Sequence, residues 1–296
     1  MNEHEALVEE AVRTKHTVVL IGGLDTGKST LSRALLEAAV AAGRPSAFID
    51  ADVGQKMVGP PATVTLKRIR AAADLEPTSM GKEDALWFIG STSPEGHLLQ
   101  IVAAVASVFR IAKASGADFV VVDSSGLVSG VHGQVLNYHK VEMLQPDLVV
   151  GLQRGEELLP LLGVIQRFFA TEVVPLGVHP GVVPTTVEQR AENRERSMAA
   201  YFSAELHRFR VKPTVFMPAL PPLFDLAQLD HLLVGLSDGA GGYLGLGYLE
   251  HLPEEGILRL ITPVAAGPKA LRLGSVRLEE KYRAKRVDLR NLFGSG

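Results

Sequence analysis

The sequence predicts an α/β protein with a doubly wound parallel sheet, followed by a small β-rich C-terminal domain. Three observations indicate this class. Near-continuous apolar segments alternate with helical patterns from residue 17 to residue 176, as expected for parallel strands that are buried on both faces. A glycine-rich turn joins the first apolar segment to a helical pattern. From about residue 213, short alternating runs with glycine turns replace this pattern.

The elements can be placed in chain order. A helix over residues 3–14 precedes the first strand, 17–21, and the Gly43-Arg44-Pro45 stop signal ends the helix after the glycine turn. Further strands are predicted at 46–50, 86–90, 117–123, 146–152 and 171–176, with helices at about 97–114, 132–144 and 155–169. A charged helix is predicted over 186–206, and β-rich runs lie at 243–248, 257–261 and 270–278. We therefore expect one domain over 1–210 and a second over 211–296.

Composition narrows the function class. The 296 residues are 46% hydrophobic and carry a net charge of −3, so the chain as a whole is not an electrostatic nucleic-acid binder. It has no cysteine, which excludes disulfides and thiolate metal sites and fits a reducing compartment. The longest apolar stretch, residues 98–112, contains Gln100 and Arg110 and is too short to span a bilayer. The N-terminus is acidic and polar, so we expect a cytoplasmic protein without a membrane partner.

The most specific motif is G-x-x-x-x-G-K-[ST], which runs from Gly22 to Ser29 between an apolar strand and a helix. Gly22 and Gly27 let the backbone curl so that N–H groups point inward, and the helix N-terminus adds positive potential. Lys28 is placed to reach the β- and γ-phosphates, and Ser29 to ligate Mg²⁺. The motif predicts a P-loop NTPase fold and a nucleoside triphosphate held by Gly22, Gly23, Leu24, Asp25, Thr26, Gly27, Lys28, Ser29 and Thr30.

Carboxylates stand at the carboxyl ends of two other predicted strands, where ligands of such sheets bind. Asp50 and Asp52 end the second strand, and Asp123 ends the run Val120-Val121-Val122. One carboxylate can accept the proton of an attacking hydroxyl while another holds Mg²⁺ and its waters. An Asp pair that forms a turn, and a strand-terminal Asp that caps the next turn, are the ordinary structural alternatives.

The charged helix at 186–206 has two interpretations. Arg190 and Arg194 lie one turn apart on one face, as a lid over a transferring phosphate would require. Interleaved Glu188, Glu192 and Glu195 favour a solvated helix with internal ion pairs when the residues are considered alone. The basic run from Lys281 to Arg290 is likewise more typical of a solvated tail than of a nucleic-acid contact.

Several segments, in order, resemble the P-loop polynucleotide 5′-hydroxyl kinase family, which includes the RNA kinases of the mRNA 3′-end cleavage factor and of ribosomal-RNA processing. Asp50-Ala51-Asp52-Val53-Gly54-Gln55 is similar to the family's D-x-D-x-G-Q. Phe88-Ile89-Gly90-Ser91-Thr92-Ser93-Pro94 resembles its clasp. Asp123-Ser124-Ser125-Gly126-Leu127 resembles its N-T-x-G-W stretch, and Arg190-Ala191-Glu192-Asn193-Arg194 its R-x-x-x-R lid. The resemblance covers about residues 15–210 and, more loosely, the β-rich C-terminal region.

The resemblance implies transfer of the ATP γ-phosphate to a 5′-hydroxyl end of RNA or DNA. Lys28, Asp52, Arg190 and Arg194 would be catalytic, with the two arginines on a functional lid. Ser29, Asp50 and Asp123 would hold or support Mg²⁺. The acceptor strand would be contacted by Gln55, Thr92, Ser93, Ser124, Gly126 and Leu127.

Two departures from the family are visible. Leu127 replaces the tryptophan that stacks on the terminal base, so this clamp is expected to be weaker or to come from Tyr138 or Trp87. The P-loop begins near residue 22, without the N-terminal β domain of eukaryotic members. We therefore expect a minimal, prokaryote-like kinase without an obligatory protein partner. A kinase of a small nucleoside or sugar, and a non-catalytic ATP-binding scaffold of nucleic-acid processing, are the alternative hypotheses.

Overall fold

The computed structural model describes residues 2–293, except for the side chain of Arg290, which belongs to the basic C-terminal run. The helices are α1 (Glu3–Thr14), α2 (Lys28–Ala41), α3 (Pro77–Met80), α4 (Leu98–Ala114), α5 (Gly130–Leu144), α6 (Leu159–Phe168), α7 (Val187–Tyr201) and α8 (Leu289–Phe293). The strands of the first sheet are β1 (Thr17–Gly22), β2 (Ser46–Ala51), β3 (Thr63–Ile69), β4 (Ala85–Phe88), β5 (Phe119–Ser124), β6 (Leu148–Gln153) and β7 (Glu172–Gly177). Those of the second are β8 (His207–Val211), β9 (Phe216–Met217), β10 (Leu232–Ser237), β11 (Tyr243–Leu252), β12 (Ile257–Thr262), β13 (Ala270–Leu278) and β14 (Ala284–Arg286).

The first sheet has the strand order β4-β3-β2-β5-β1-β6-β7. The pairs from β2 to β7 along this order are parallel, and every residue of β1, β2, β5 and β6 is buried. Burial on both faces explains why these strands are continuous apolar runs rather than alternating ones. The predicted doubly wound α/β fold is confirmed.

Strand β3 is a difference from the predicted sheet. It pairs antiparallel with β2, and the sequence reasoning did not assign it. Threonine and lysine alternate with aliphatic residues from Thr63 to Lys67, and Arg68 follows. The strand therefore lacks the apolar run by which the other strands were recognised.

The chain divides into two compact units. The first combines Met1–Gly59, Val64–Ala85 and Pro94–Thr186, and the second combines Pro60–Thr63, Leu86–Ser93 and Val187–Gly296. The first unit has its core around Leu35, Phe48, Phe119, Val121 and Val150, where α2 packs on the sheet. The predicted division at residue 210 stays a prediction.

The second unit contains the antiparallel sheet β14-β13-β10-β11-β12-β8, with β9 added in parallel to β13. Successive residues of β10 contribute to different clusters, since Leu232 and Val234 belong to one core and Leu233 to another. This alternation is the period-2 pattern expected of a sheet with both faces covered. The β-rich character predicted for the C-terminal region is confirmed.

Two helices are shorter than predicted. α7 ends at Tyr201 rather than near residue 206, because Ser203 Oγ donates to the Ala200 carbonyl in a closing turn and β8 begins at His207. α6 begins at Leu159 rather than near residue 155. The Glu157 carboxylate accepts hydrogen bonds from the backbone N–H groups of Arg154 and Gly155, which forms a turn ahead of the helix. In residues 2–293 we find no helix long and apolar enough to cross a membrane.

Candidate functional site: a P-loop beside three aspartates

The glycine-rich turn connects the end of β1 to the first residue of α2. Gly27 caps α2 with a φ of 88°, a left-handed conformation that glycine adopts without steric cost. A Cβ atom on Gly22 would lie 2.5 Å from Thr26 Oγ1 and 2.9 Å from the Leu152 carbonyl oxygen. Both fixed glycines of the motif are therefore required by the shape of the loop.

Lys28 is the first residue of α2, and its side chain folds back over the glycine-rich loop. Its Nζ donates to the carbonyl oxygens of Gly22, at 2.9 Å, and Gly23, at 2.7 Å. Only 8% of the residue is exposed, so its charge acts in a largely desolvated place. An ammonium has three donors, and a phosphate in the turn would be a further acceptor beside these carbonyls.

Two residues outside the P-loop, Arg154 and Thr185, donate hydrogen bonds to it. Arg154, after β6, donates to the carbonyl oxygens of Leu24, at 3.3 Å, and Asp25, at 2.6 Å. Thr185 donates its N–H and its hydroxyl to the Asp25 carboxylate, at 3.1 and 3.0 Å. Asp25 has a positive φ of 52°, and these contacts maintain that conformation.

Ser29 and Asp123 meet across the loop. Ser29 Oγ donates to Asp123 Oδ2 at 2.8 Å, whereas Asp123 Oδ1 is buried without a hydrogen-bond partner among the described residues. Burial raises the pKa of Asp123 to about 7, against the opposing charge of Lys28. An orphaned carboxylate oxygen next to a serine hydroxyl fits a Mg²⁺ ion that takes its remaining ligands from phosphates and water.

Asp52 follows the end of β2 and has one oxygen anchored. Asp52 Oδ1 accepts hydrogen bonds from the N–H groups of Gly54, at 2.8 Å, and Gln55, at 2.9 Å. For Oδ2, no hydrogen bond is found within residues 2–293. The charge of Asp52 contributes to the raised pKa of Asp123, so the two carboxylates are electrostatic neighbours. One fixed oxygen and one available oxygen suit a group that orients or deprotonates a hydroxyl.

Asp50 has a different environment from the other two aspartates. It lies opposite Asp123 in the β2–β5 register, and its Oδ2 accepts from the N–H groups of Met57, at 2.7 Å, and Val58, at 3.1 Å. Lys56 forms a buried ion pair with Oδ1 at 3.0 Å. Burial raises the pKa of Asp50, and Lys56 opposes that effect. The carboxylate thus closes the loop from residue 56 to 58, and its predicted support of the metal stays a prediction.

The predicted acceptor residues at the end of β5 form a turn between two elements. Ser124 is fully buried and accepts a hydrogen bond of 2.7 Å from Lys140 Nζ on α5. Gly126 approaches the P-loop so closely that a Cβ atom there would lie 2.6 Å from Leu24 Cδ2. The Leu127 carbonyl accepts from Asn137 Nδ2 at 3.1 Å. The turn is therefore in direct contact with the nucleotide loop.

Several other predicted residues belong to the second unit. Ser91 Oγ accepts from the Ser93 N–H at 3.1 Å and donates to the Ser93 carbonyl at 2.8 Å, which fixes the backbone on either side of Thr92. Arg190 and Arg194 are half-buried on α7, one turn apart, with buried Met198 a further turn along. Their roles, and those of Thr92 and Ser93, stay predictions. Trp87 is one of the two suggested stacking residues. Its ring forms a T-shaped pair with the ring of Tyr243, and the two ring centroids lie 5.4 Å apart.

Sequence reasoning missed four residues that shape the first unit's site: Lys56, Lys140, Arg154 and Thr185. Each is an isolated polar residue with no motif spacing, and the partners of Arg154 and Thr185 lie more than a hundred residues away in the chain. Lys140 offered the one usable signal, a lysine at a position of α5 that helical spacing places among buried residues.

Comparison with known proteins identifies the family. The family model described as the P-loop of the mRNA cleavage and polyadenylation factor CLP1 matches residues 22–204. A protein of Thermococcus kodakarensis named polyribonucleotide 5′-hydroxyl-kinase is 27% identical over 318 residues, covering 90% of this chain and 89% of its own. Its namesake from Pyrococcus furiosus is 26% identical over 320 residues, covering 89% and 88%.

A solved structure supports the fold. Wild-type Clp1p, in its complex with Pcf11p (454–563), superposes with a TM-score of 0.74 at 15% identity, covering 93% of this chain and 77% of that one. At this identity the likeness concerns the fold alone. The family match extends from the first glycine of the P-loop to beyond α7. The alignments with the two archaeal relatives cover about nine-tenths of this chain. The chain therefore belongs to the CLP1 P-loop family, whose model is named after the mRNA cleavage and polyadenylation factor CLP1.

Proposed function

We propose that this protein is a polynucleotide 5′-hydroxyl kinase that transfers the γ-phosphate of ATP to a 5′-hydroxyl end of RNA. The observation that carries the proposal is the junction of Ser29, Asp123 and Asp52 at the mouth of the P-loop. Together with the P-loop, these residues support the binding of phosphates, the binding of a metal ion and the presence of an available carboxylate at the carboxyl ends of neighbouring strands. The archaeal relatives named polyribonucleotide 5′-hydroxyl-kinase support RNA as the acceptor.

The nucleotide would be held by the loop from Gly22 to Thr30. Backbone N–H groups at the start of α2 and the Lys28 ammonium would bind its phosphates. Ser29 and Asp123 would hold Mg²⁺, which when bound neutralises charge on the phosphate oxygens. We assign Asp50 a supporting role through the loop that it shares with Lys56, since its oxygens accept from Lys56 and from backbone N–H groups.

The transfer step needs one proton acceptor. The 5′-oxygen of the acceptor forms a bond to the γ-phosphorus while the bond from that phosphorus to the β,γ-bridging oxygen breaks, and ADP leaves. The proton of the attacking hydroxyl passes to Asp52, whose Oδ2 is available while Oδ1 is held by Gly54 and Gln55. Positioning and charge stabilisation supply most of the acceleration in such reactions.

We propose that Gln55, Gly126 and Leu127 of the first unit contact the acceptor strand, with Ser124 supporting their turn from within the fold. For Thr92 and Ser93, which belong to the second unit, we keep the acceptor-binding role that the family resemblance implies. Arg190 and Arg194, on α7, would stabilise the charge of the transferring phosphoryl group, a role for which arginine's fixed fork of donors is suited. A 5′-hydroxyl DNA end would fit the same chemistry.

The experiment supplies γ-labelled ATP and Mg²⁺ with four acceptors: RNA and DNA oligonucleotides with 5′-hydroxyl ends, the same RNA carrying a 5′-phosphate, and a free nucleoside. We expect label on the 5′-hydroxyl RNA and none on the 5′-phosphate RNA. Label on the nucleoside alone would replace the proposal with a small-molecule kinase. ATP that stays intact beside every acceptor would indicate a nucleotide-binding scaffold.

A further inference from the structure

Helix α5 presents a stripe of three residues, Gly133, Asn137 and Lys140, to the turn that follows β5. Their spacing of four and three residues places them on one face of the helix, and all three are buried. Each one contacts a different part of residues 124–128. The chemistry described above does not use any of the three.

Lys140 contacts the beginning of the turn. Its Nζ donates to Ser124 Oγ at 2.7 Å, and the residue is only 1% exposed. An amine donates hydrogen bonds whether or not it is protonated, so the contact does not depend on its charge. Ser124 directly follows Asp123, and successive residues of a strand point to opposite faces. Ser29 of α2 therefore holds one side of the strand end and Lys140 of α5 holds the other.

The other two residues contact the end of the turn. Asn137 Nδ2 donates to the Leu127 carbonyl at 3.1 Å. A Cβ atom on Gly133 would lie 2.4 Å from the carbonyl carbon of Val128, so the helix backbone approaches as closely as glycine permits. Gly126, between these anchored ends, lies against Leu24 of the P-loop. The helix thus fixes the turn at both ends and leaves its middle at the nucleotide loop.

Packing alone does not account for these residues. Asn137 Oδ1 is buried without a hydrogen-bond partner among the described residues, and Lys140 is desolvated by burial. Both features oppose folding, and aliphatic side chains would fill the same space without them. Lys140 donates to Ser124, and Asn137 Nδ2 donates to the Leu127 carbonyl as well as to the Gly133 carbonyl of its own helix. Two buried polar side chains that both bond to the same turn indicate that the geometry of the turn matters.

We propose that Lys140 is a positioning residue that, with Asn137, sets the conformation of residues 124–128 and so the place of the acceptor end relative to the P-loop. The inference rests on the proposed kinase function, because it assigns this turn to the acceptor. Nucleotide binding should be insensitive to Lys140, since Arg154 and Thr185 hold the P-loop independently. Loss of Lys140 should therefore lower turnover without weakening ATP binding.

The kinetic experiment compares wild type with Lys140→Met, Ser124→Ala and the double variant, using 5′-hydroxyl RNA. We expect kcat to fall about 10- to 100-fold in Lys140→Met with KM for ATP within about twofold, because small misplacements of reacting groups have effects of this size. The double variant should be no slower than the slower single variant, since Lys140 acts through Ser124. Lys67→Met, which removes another buried lysine, on β3, is the control and should keep its kcat.

Backbone ¹⁵N order parameters provide a readout that does not need activity. Those of residues 125–128 should fall from about 0.85 in wild type to below about 0.6 in Lys140→Met, and those of residues 22–30 should be the same in both proteins. Unchanged order parameters at 125–128, a kcat within twofold of wild type, or single-variant losses that multiply in the double variant would each overturn the inference. A wild-type protein that phosphorylates no oligonucleotide would overturn the proposed function instead, and the order parameters would still decide whether Lys140 positions the turn.

Discussion

The three aspartates next to the P-loop have the same side chain and three different surroundings. Asp50 is paired with Lys56, Asp123 is buried against Ser29, and Asp52 keeps one oxygen available. The sequence predicted that carboxylates would gather at the strand ends, because parallel strands align them there. It could not distinguish their roles, since Lys56 and the backbone donors around each carboxylate follow no motif.

Replacing Asp123 by asparagine should raise the free energy of unfolding of the metal-free protein and weaken the binding of Mg²⁺ and ATP. The Asp123 pKa of about 7 in the folded protein is above the unfolded value of 3.8, so the folded state binds the proton more tightly. The contribution of Asp123 to the free energy of unfolding therefore declines as pH rises from about 4 to about 7, and Asp123→Asn lacks that declining contribution. In metal-free urea unfolding, we expect the variant to gain stability relative to wild type between pH 5 and pH 8.

The same variant should lose the stabilisation that Mg²⁺ and ATP give the wild type, because the amide is a poor metal ligand. An Asp123→Asn protein that Mg²⁺ and ATP stabilise as strongly as the wild type would remove Asp123 from the metal position. A stability difference that does not change between pH 5 and pH 8 would contradict the raised pKa.

The ion pair of Asp50 and Lys56 should contribute far more than a surface pair. Lys56→Met leaves the buried Asp50 carboxylate without its charged partner, a change that costs about 3–5 kcal/mol of unfolding free energy. Arg33→Met removes the exposed pair with Glu37 on α2 and should cost less than about 1 kcal/mol. Urea unfolding at pH 7 measures both, and equal losses would show that Asp50 is effectively solvated.

At the level of elements, the positions of the central strands along the chain and their burial followed from their composition. Continuous apolar runs predicted β1, β2, β5 and β6 because both faces of these strands are covered. The close approach of α5 to the turn after β5 was not predictable, because a helical glycine such as Gly133 has no periodic signal of its own. Only the packed structure shows which glycines are required.

Two helical glycines provide a matched test of that packing. Gly133→Ala on α5 would place a Cβ atom 2.4 Å from the Val128 backbone, whereas Gly163→Ala on α6 meets no atom within 4 Å. We expect Gly163→Ala to stabilise the protein by up to about 1 kcal/mol through helix propensity. Gly133→Ala should lose at least about 1 kcal/mol despite the same gain. Thermal or urea unfolding of both variants measures the contrast, and a Gly133→Ala protein as stable as Gly163→Ala would contradict the close contact.

At the scale of the molecule, the chain contains a nucleotide-binding α/β unit and a unit built on an antiparallel sheet. The sequence indicated both, since hydrophobic period and turn composition differ along the chain. It could not show that the second unit includes residues 60–63 and 86–93 from the first half of the chain, because pattern reasoning assigns neighbouring residues to one domain. Thr92 and Ser93 belong to the segment 86–93.

The central claim is that Asp52 accepts the proton of the reacting hydroxyl while the P-loop binds the nucleotide. The most direct measurement is label transfer from γ-labelled ATP to 5′-hydroxyl RNA by wild type and Asp52→Asn, together with the Kd of each for an ATP analogue. The account predicts that Asp52→Asn binds the analogue as wild type does and transfers phosphate about 10²–10⁴-fold more slowly. Transfer at the wild-type rate by Asp52→Asn would contradict it.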